Sequence, residues 1–117
     1  MFEGFLNPDR YGFTRIPHDW IDILPNIDSL AELKILLYVA RHTWGFQEVD
    51  AWKRITLEQF MNGRAGLDNG TGLSRQSVID GIEKAVKHGY LLYKVDDRDK
   101  ARIKKYYKLN IHKETEV

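Results

Sequence analysis

The sequence predicts an α+β domain, mainly helical with a small β-hairpin. Two segments, opening at Ser29 and Ser74, join a capping residue to apolar side chains at helical spacing. A third, Tyr90 to Ile111, alternates apolar and polar residues around a charged turn, as paired strands do. The chain has 117 residues, 43% of them hydrophobic, which is enough for one domain with its own core.

Residues 1–14 mix Gly, Asn, Pro and aromatic side chains and read as an irregular arm. Pro17 suits the first turn of a short helix from His18 to Leu24, where a missing N–H does no harm. Trp20, Ile21 and Leu24 give that helix an apolar side, and Pro25-Asn26 end it. Ser29 and Glu32 then have capping-box spacing, in which each side chain satisfies a free backbone N–H. Leu30, Leu33, Ile35, Leu36, Leu37, Val39 and Ala40 cover most of the following helix. Lys34, Tyr38, Arg41 and His42 leave only a narrow polar stripe, so this helix belongs at the centre of the core, with Gly45 as its stop.

Gln47 to Lys53 reads as a connection anchored by Trp52, followed by a short strand at Arg54-Ile55-Thr56. Thr56 and Gln59 repeat the capping-box spacing and start a short helix through Leu57, Phe60 and Met61. Asn62-Gly63 end it, and Arg64 to Gly72 is a glycine-rich loop. Ser74 caps a helix that runs to about His88, with Val78, Ile82, Ala85 and Val86 on its buried face and Gly89 as its stop. A strand from Tyr90 to Val95, a turn at Asp96–Lys100 and a returning strand from Arg102 to Ile111 complete the chain. In the return strand Ile103, Lys105, Tyr107, Leu109 and Ile111 share the expected core face; Lys104, Tyr106, Lys108 and Asn110 share the wet one.

Helix, short strand, helix, turn, helix, strand, turn, strand is the order of a winged helix-turn-helix: a three-helix core, a two-stranded wing and here a short N-terminal helix. The expected division is an arm and short helix at 1–28 packed on a domain at 29–113, with 114–117 as a disordered tail.

Charge and composition narrow the function. Residues 1–60 hold 6 Lys/Arg against 9 Asp/Glu, and residues 61–117 hold 12 against 8. The basic surplus is densest between Lys94 and Lys113, which points to an anionic partner on one face. Absence of cysteine excludes disulfides, thiolate zinc sites and a cysteine nucleophile, and accords with a cytoplasmic setting. No apolar run approaches the ~20 residues of a membrane helix, so no membrane partner is expected. His18, His42, His88 and His112 are scattered without metal spacing, Asp96, Asp97 and Asp99 lack the glycine and glutamate of a calcium loop, and no nucleophile elbow occurs. Neither catalysis nor a cofactor is expected. Trp20, Trp44, Trp52 and most phenylalanines read as core.

Gly72-Leu73-Ser74-Arg75-Gln76-Ser77-Val78, then Ile82, then His88-Gly89-Tyr90-Leu91, resembles the run that spans the recognition helix and wing entry of bacterial winged-helix proteins. Gly12-Phe13-Thr14-Arg15-Ile16-Pro17, Ala31 to Leu37 and Arg41-His42-Thr43-Trp44-Gly45-Phe46 resemble the N-terminal domain of bacteriophage replication protein O. The resemblance implies origin binding in the replication of a phage or mobile element, with replication proteins as further partners. Two departures stand out. The turn before the recognition helix is longer than the family's, and Asp80 falls where many relatives carry a basic residue.

The first turn of the Ser74 helix is the leading site candidate. Arg75 has the donors to grip guanine, Gln76 can pair with adenine, Ser74 and Ser77 sit beside the free N–H groups, and Lys84 lies further along. The second candidate is the wing, whose Arg98, Lys100, Arg102, Lys104, Lys105 and Lys108 can neutralise the backbone of double-stranded DNA. Tyr106 can stack on a base or simply pack. Arg64 in the glycine-rich loop is a further candidate phosphate contact, with a tolerated insertion as the other reading of that loop. A transcriptional regulator using the same surface, or a protein-docking module that does not bind DNA, remains open, as does a monomer or a homodimer.

Overall fold

A computed structural model describes residues 1–112; the expected tail at 114–117 lies outside the described residues. The chain is mixed α+β, with helices α1 (Pro8–Tyr11), α2 (His18–Ile23), α3 (Leu30–Thr43), α4 (Leu57–Asn62) and α5 (Arg75–Lys87). Its strands are β1 (Lys53–Arg54), β2 (Leu91–Asp96) and β3 (Lys104–Leu109). They form one antiparallel sheet in the order β1-β3-β2. The two-stranded ribbon expected from alternation therefore gains a third strand, because Lys53 and Arg54 pair with Tyr107 and Tyr106.

The central position of α3 follows from its composition. Ile35, Leu36, Val39 and Ala40 are all buried, packed with Val78 and Ala85 of α5, Phe60 of α4, Ile55, and Leu91, Tyr107 and Leu109 of the sheet. Each large apolar side chain so buried stabilises the fold by about 1.5–3 kcal/mol. Gly81 lets α3 and α5 approach closely: a Cβ there would lie 3.0 Å from the Ala31 backbone and from Ile35. For the phenylalanines the expectation is corrected except at Phe60, since Phe2, Phe5, Phe13 and Phe46 are exposed. Trp20 is buried and meets half-buried Trp44 edge-on, with ring centroids 5.6 Å apart. Thus the expected packing of 1–28 divides, with Trp20 in the core and the large side chains of the first 13 residues exposed.

Helix ends follow local chemistry with two exceptions. Thr56 and Gln59 form the full reciprocal capping box, and Ser74 Oγ accepts from the Ser77 N–H at 3.2 Å. Ser29 Oγ accepts from the Glu32 N–H at 3.2 Å, yet the Glu32 carboxylate does not return the bond. It turns inward, fully buried, and Oε2 meets His88 Nδ1 at 2.7 Å. Long-range pairing has displaced half of that box. Nor does Gly45 stop α3: Gln47 takes the left-handed conformation (φ 61°), while Gly45 makes room for Thr14, whose Oγ1 would be 2.9 Å from an added Cβ.

Candidate nucleic-acid interface

Register decides what each face of the sheet offers. Leu91 opposes Leu109, Tyr93 opposes Tyr107 and Val95 opposes Lys105, so these residues share the face turned towards α5. Tyr107 and Leu109 are buried as expected, whereas Ile103 and Lys105 are exposed because the hairpin runs past the helical body. On the α5 side Arg75, Ile79, Glu83 and Lys87 stand four residues apart, a single row along the helix. This row, with Tyr93, Lys105 and Tyr107, borders a cleft of about 480 Å³. The first turn of α5 and one lysine of the hairpin are thereby brought to one groove. Arg75, Lys87 and Lys105 supply positive charge and Glu83 one carboxylate.

The other predicted residues fall into three groups. Ser74, Gln76 and Ser77 stay in the first turn of α5 with bonds of their own. Ser74 Oγ donates to Ser77 Oγ at 3.0 Å, and the Gln76 amide donates to Asp80 at 2.9 Å. Asp80 thus tethers Gln76 along the helix. Lys100 and Arg102 are exposed in the hairpin turn and enter no ion pair among the described residues. Asp96 and Asp99 shape that turn. Asp96 accepts from the Arg98 side chain and N–H, and Asp99 accepts from the Ala101 N–H at 3.0 Å. The Arg98 pairing holds the Asp96 carboxyl down at about pKa 2 and raises that of Arg98.

In the third group Lys84, Lys108 and Arg64 are already paired, and Lys104 faces a carboxylate across the strand register. Lys84 reaches back to Asp28 at 3.1 Å, and that pairing lowers the Asp28 pKa. Lys104 and Lys108 lie on the sheet face turned away from α5; Lys104 opposes Asp96, and Lys108, with a side chain 12% exposed, pairs with Asp50 at 2.7 Å. Arg64, the candidate phosphate contact, is engaged within the chain. Its Nε donates to Asp68 at 2.7 Å, and the pair ties the glycine-rich loop onto the polar stripe of α3. Lys34 donates to the Thr71 carbonyl at 3.2 Å, Tyr38 to Asp68 at 2.7 Å and Arg41 to the Leu67 carbonyl at 2.8 Å. Burial favours a neutral Asp68, but bonds from Tyr38, Arg64 and the Gly70 N–H outweigh it and hold its pKa near 2. Burial and that same carboxylate push Tyr38 up to about 12. The loop is thus held to α3 by side-chain bonds.

Lys87 and Tyr93 in the groove were not singled out from sequence. The four-residue spacing from Arg75 to Lys87 was readable; Tyr93 needed the hairpin register. Among the described residues no group of His, Asp and Glu is arranged to hold a metal, and no helix is long and apolar enough to cross a membrane. Compared with models of known protein families, with curated proteins and with solved structures, the chain matches none.

Proposed function

We propose that this chain is a winged helix-turn-helix domain that binds double-stranded DNA. In this reading the first turn of α5 enters the major groove and the hairpin lies along the neighbouring backbone. One observation carries the proposal: the exposed start of α5 and Lys105 of the hairpin border the same groove, so a duplex can meet both at once. Arg75 supplies a bidentate donor for guanine, and Lys87, Lys100, Arg102 and Lys105 supply backbone neutralisation. The likeness to phage replication protein O favours a role at a replication origin of a phage or mobile element. Replication proteins are the corresponding partners.

Fluorescence anisotropy on mixed-sequence duplexes across a salt series tests this. With the four backbone cations engaged, log K should fall against log salt with a slope of about −4, and Lys105→Ala should reduce it by about 1. No binding at low salt overturns the proposal. A slope unchanged by Lys105→Ala and by Lys100→Ala with Arg102→Ala removes the hairpin from the interface. Duplexes selected from a random pool should share a core sequence, and Arg75→Ala should relax one of its positions by about 1–3 kcal/mol.

A further inference from the structure

The sheet face turned away from α5 has a different chemistry. Trp52, expected in the core, is half-buried there, immediately before β1. Lys94 Nζ lies 4.9 Å from its ring centroid and Lys108 Nζ 4.8 Å. Lys94 also lies 5.6 Å from the Tyr106 ring. Arg54 opposes Tyr106 in the register and is exposed. Trp52, Lys94 and Tyr106 line a cleft of about 610 Å³ that also meets Asp96, Asp97 and Arg98 at the turn. The third strand is what assembles this face, since it sets Trp52 and Arg54 beside the hairpin's Lys94 and Tyr106.

We propose that this face binds single-stranded nucleic acid, with unpaired bases stacking on Trp52 and Tyr106 and phosphates met by Arg54 and Lys94. Flat aromatic rings at the edge of a cleft, flanked by long cationic side chains, suit a ligand that alternates a π surface with an anion. A duplex offers its bases only edge-on, so the rings have nothing to stack on there. Cation–π contact keeps the lysine beside the ring, from which it can swing to a phosphate when a base arrives. Asp50 holds Lys108 and so leaves Lys94 and Arg54 as the principal anion contacts. This surface is separate from the α5 groove, and the inference does not depend on duplex binding.

The test uses the full chain with a fluorescein-labelled oligo(dT) of about 12 nucleotides, an oligo(U) of the same length and a mixed-sequence duplex. Single strands should bind at low salt. Trp52→Ala and Tyr106→Ala should each weaken that binding by about tenfold or more, with Trp52→Phe retaining most of it. Duplex affinity should be unchanged by these substitutions, and Arg75→Ala should leave single-strand affinity unchanged. Circular dichroism of Trp52→Ala and Trp52→Phe checks that both fold. Preference between the two oligomers identifies DNA or RNA as the source of the strand. The inference is overturned by no single-strand binding, by equal losses for duplex and single strand, or by equal competition from polyglutamate.

Discussion

Among the described residues an Arg–Asp ion pair occurs twice, in two settings. In the 63–72 loop Arg64 meets Asp68 at 2.7 Å, and at the hairpin turn Arg98 meets Asp96 at 2.9 Å. Both aspartates are held near pKa 2. The Asp68 side chain is 2% exposed, and Tyr38 and the Gly70 N–H also donate to it, whereas the Arg98 side chain is 90% exposed. A shifted pKa therefore does not by itself measure stability. A carboxylate sealed among several donors holds a loop to a helix, while an exposed pair exchanges freely with water and salt.

Breaking the buried pair gives the largest effect. Asp68→Ala leaves Tyr38 and Arg64 without their acceptor and should cost about 3–5 kcal/mol in denaturant unfolding. A loss under about 1 kcal/mol would show that the loop contributes little to the fold.

Acid titration comes next and sharpens the comparison. His42 is buried, and burial lowers its pKa to about 4 from the usual 6.5. Its folded pKa is depressed, so the unfolded chain takes the proton first. Stability is complete above pH 6.5 and falls as pH drops towards 4, by about 3 kcal/mol in all. Asp68 adds a second ramp between about pH 4 and 2, worth on the order of 2 kcal/mol. In urea unfolding at stepped pH, His42→Gln should flatten the first ramp and Asp68→Asn the second. A ramp that survives its substitution disproves the assignment.

The smallest expected effect belongs to the exposed pair. Asp96→Ala should leave the thermal midpoint where it is. If the turn meets a duplex, freeing Arg98 should steepen the salt slope by up to about 1. A marked drop in the midpoint would erase the distinction between the two settings.

Much of the fold was legible in the sequence because it is written over short separations. Ser74, Thr56 and Gln59 make the bonds their spacing implies, Gly63 and Gly89 end their helices with positive φ, and Tyr107 and Leu109 face the core as alternation requires. The polar stripe of α3 was also legible as a stripe, although what it holds was not. Of the candidate site, the start of α5 and the exposed hairpin turn were readable. Which of the described cations are paired was not, because Lys84 and Lys108 find their partners 56 and 58 residues away.

The sequence by itself determined where helices begin and end, which side chains alternate, and where positive charge accumulates. These depend on backbone geometry and neighbours within a few residues. Only the tertiary structure decided that Lys84 belongs to Asp28 and Glu32 to His88, each 56 residues away, and Lys108 to Asp50 at 58. Tertiary packing also laid a third strand beside the hairpin and gave its two faces different chemistry. The physical reason is that an ion pair or a stacking surface depends on separation in space, which chain closure sets and local spacing does not encode.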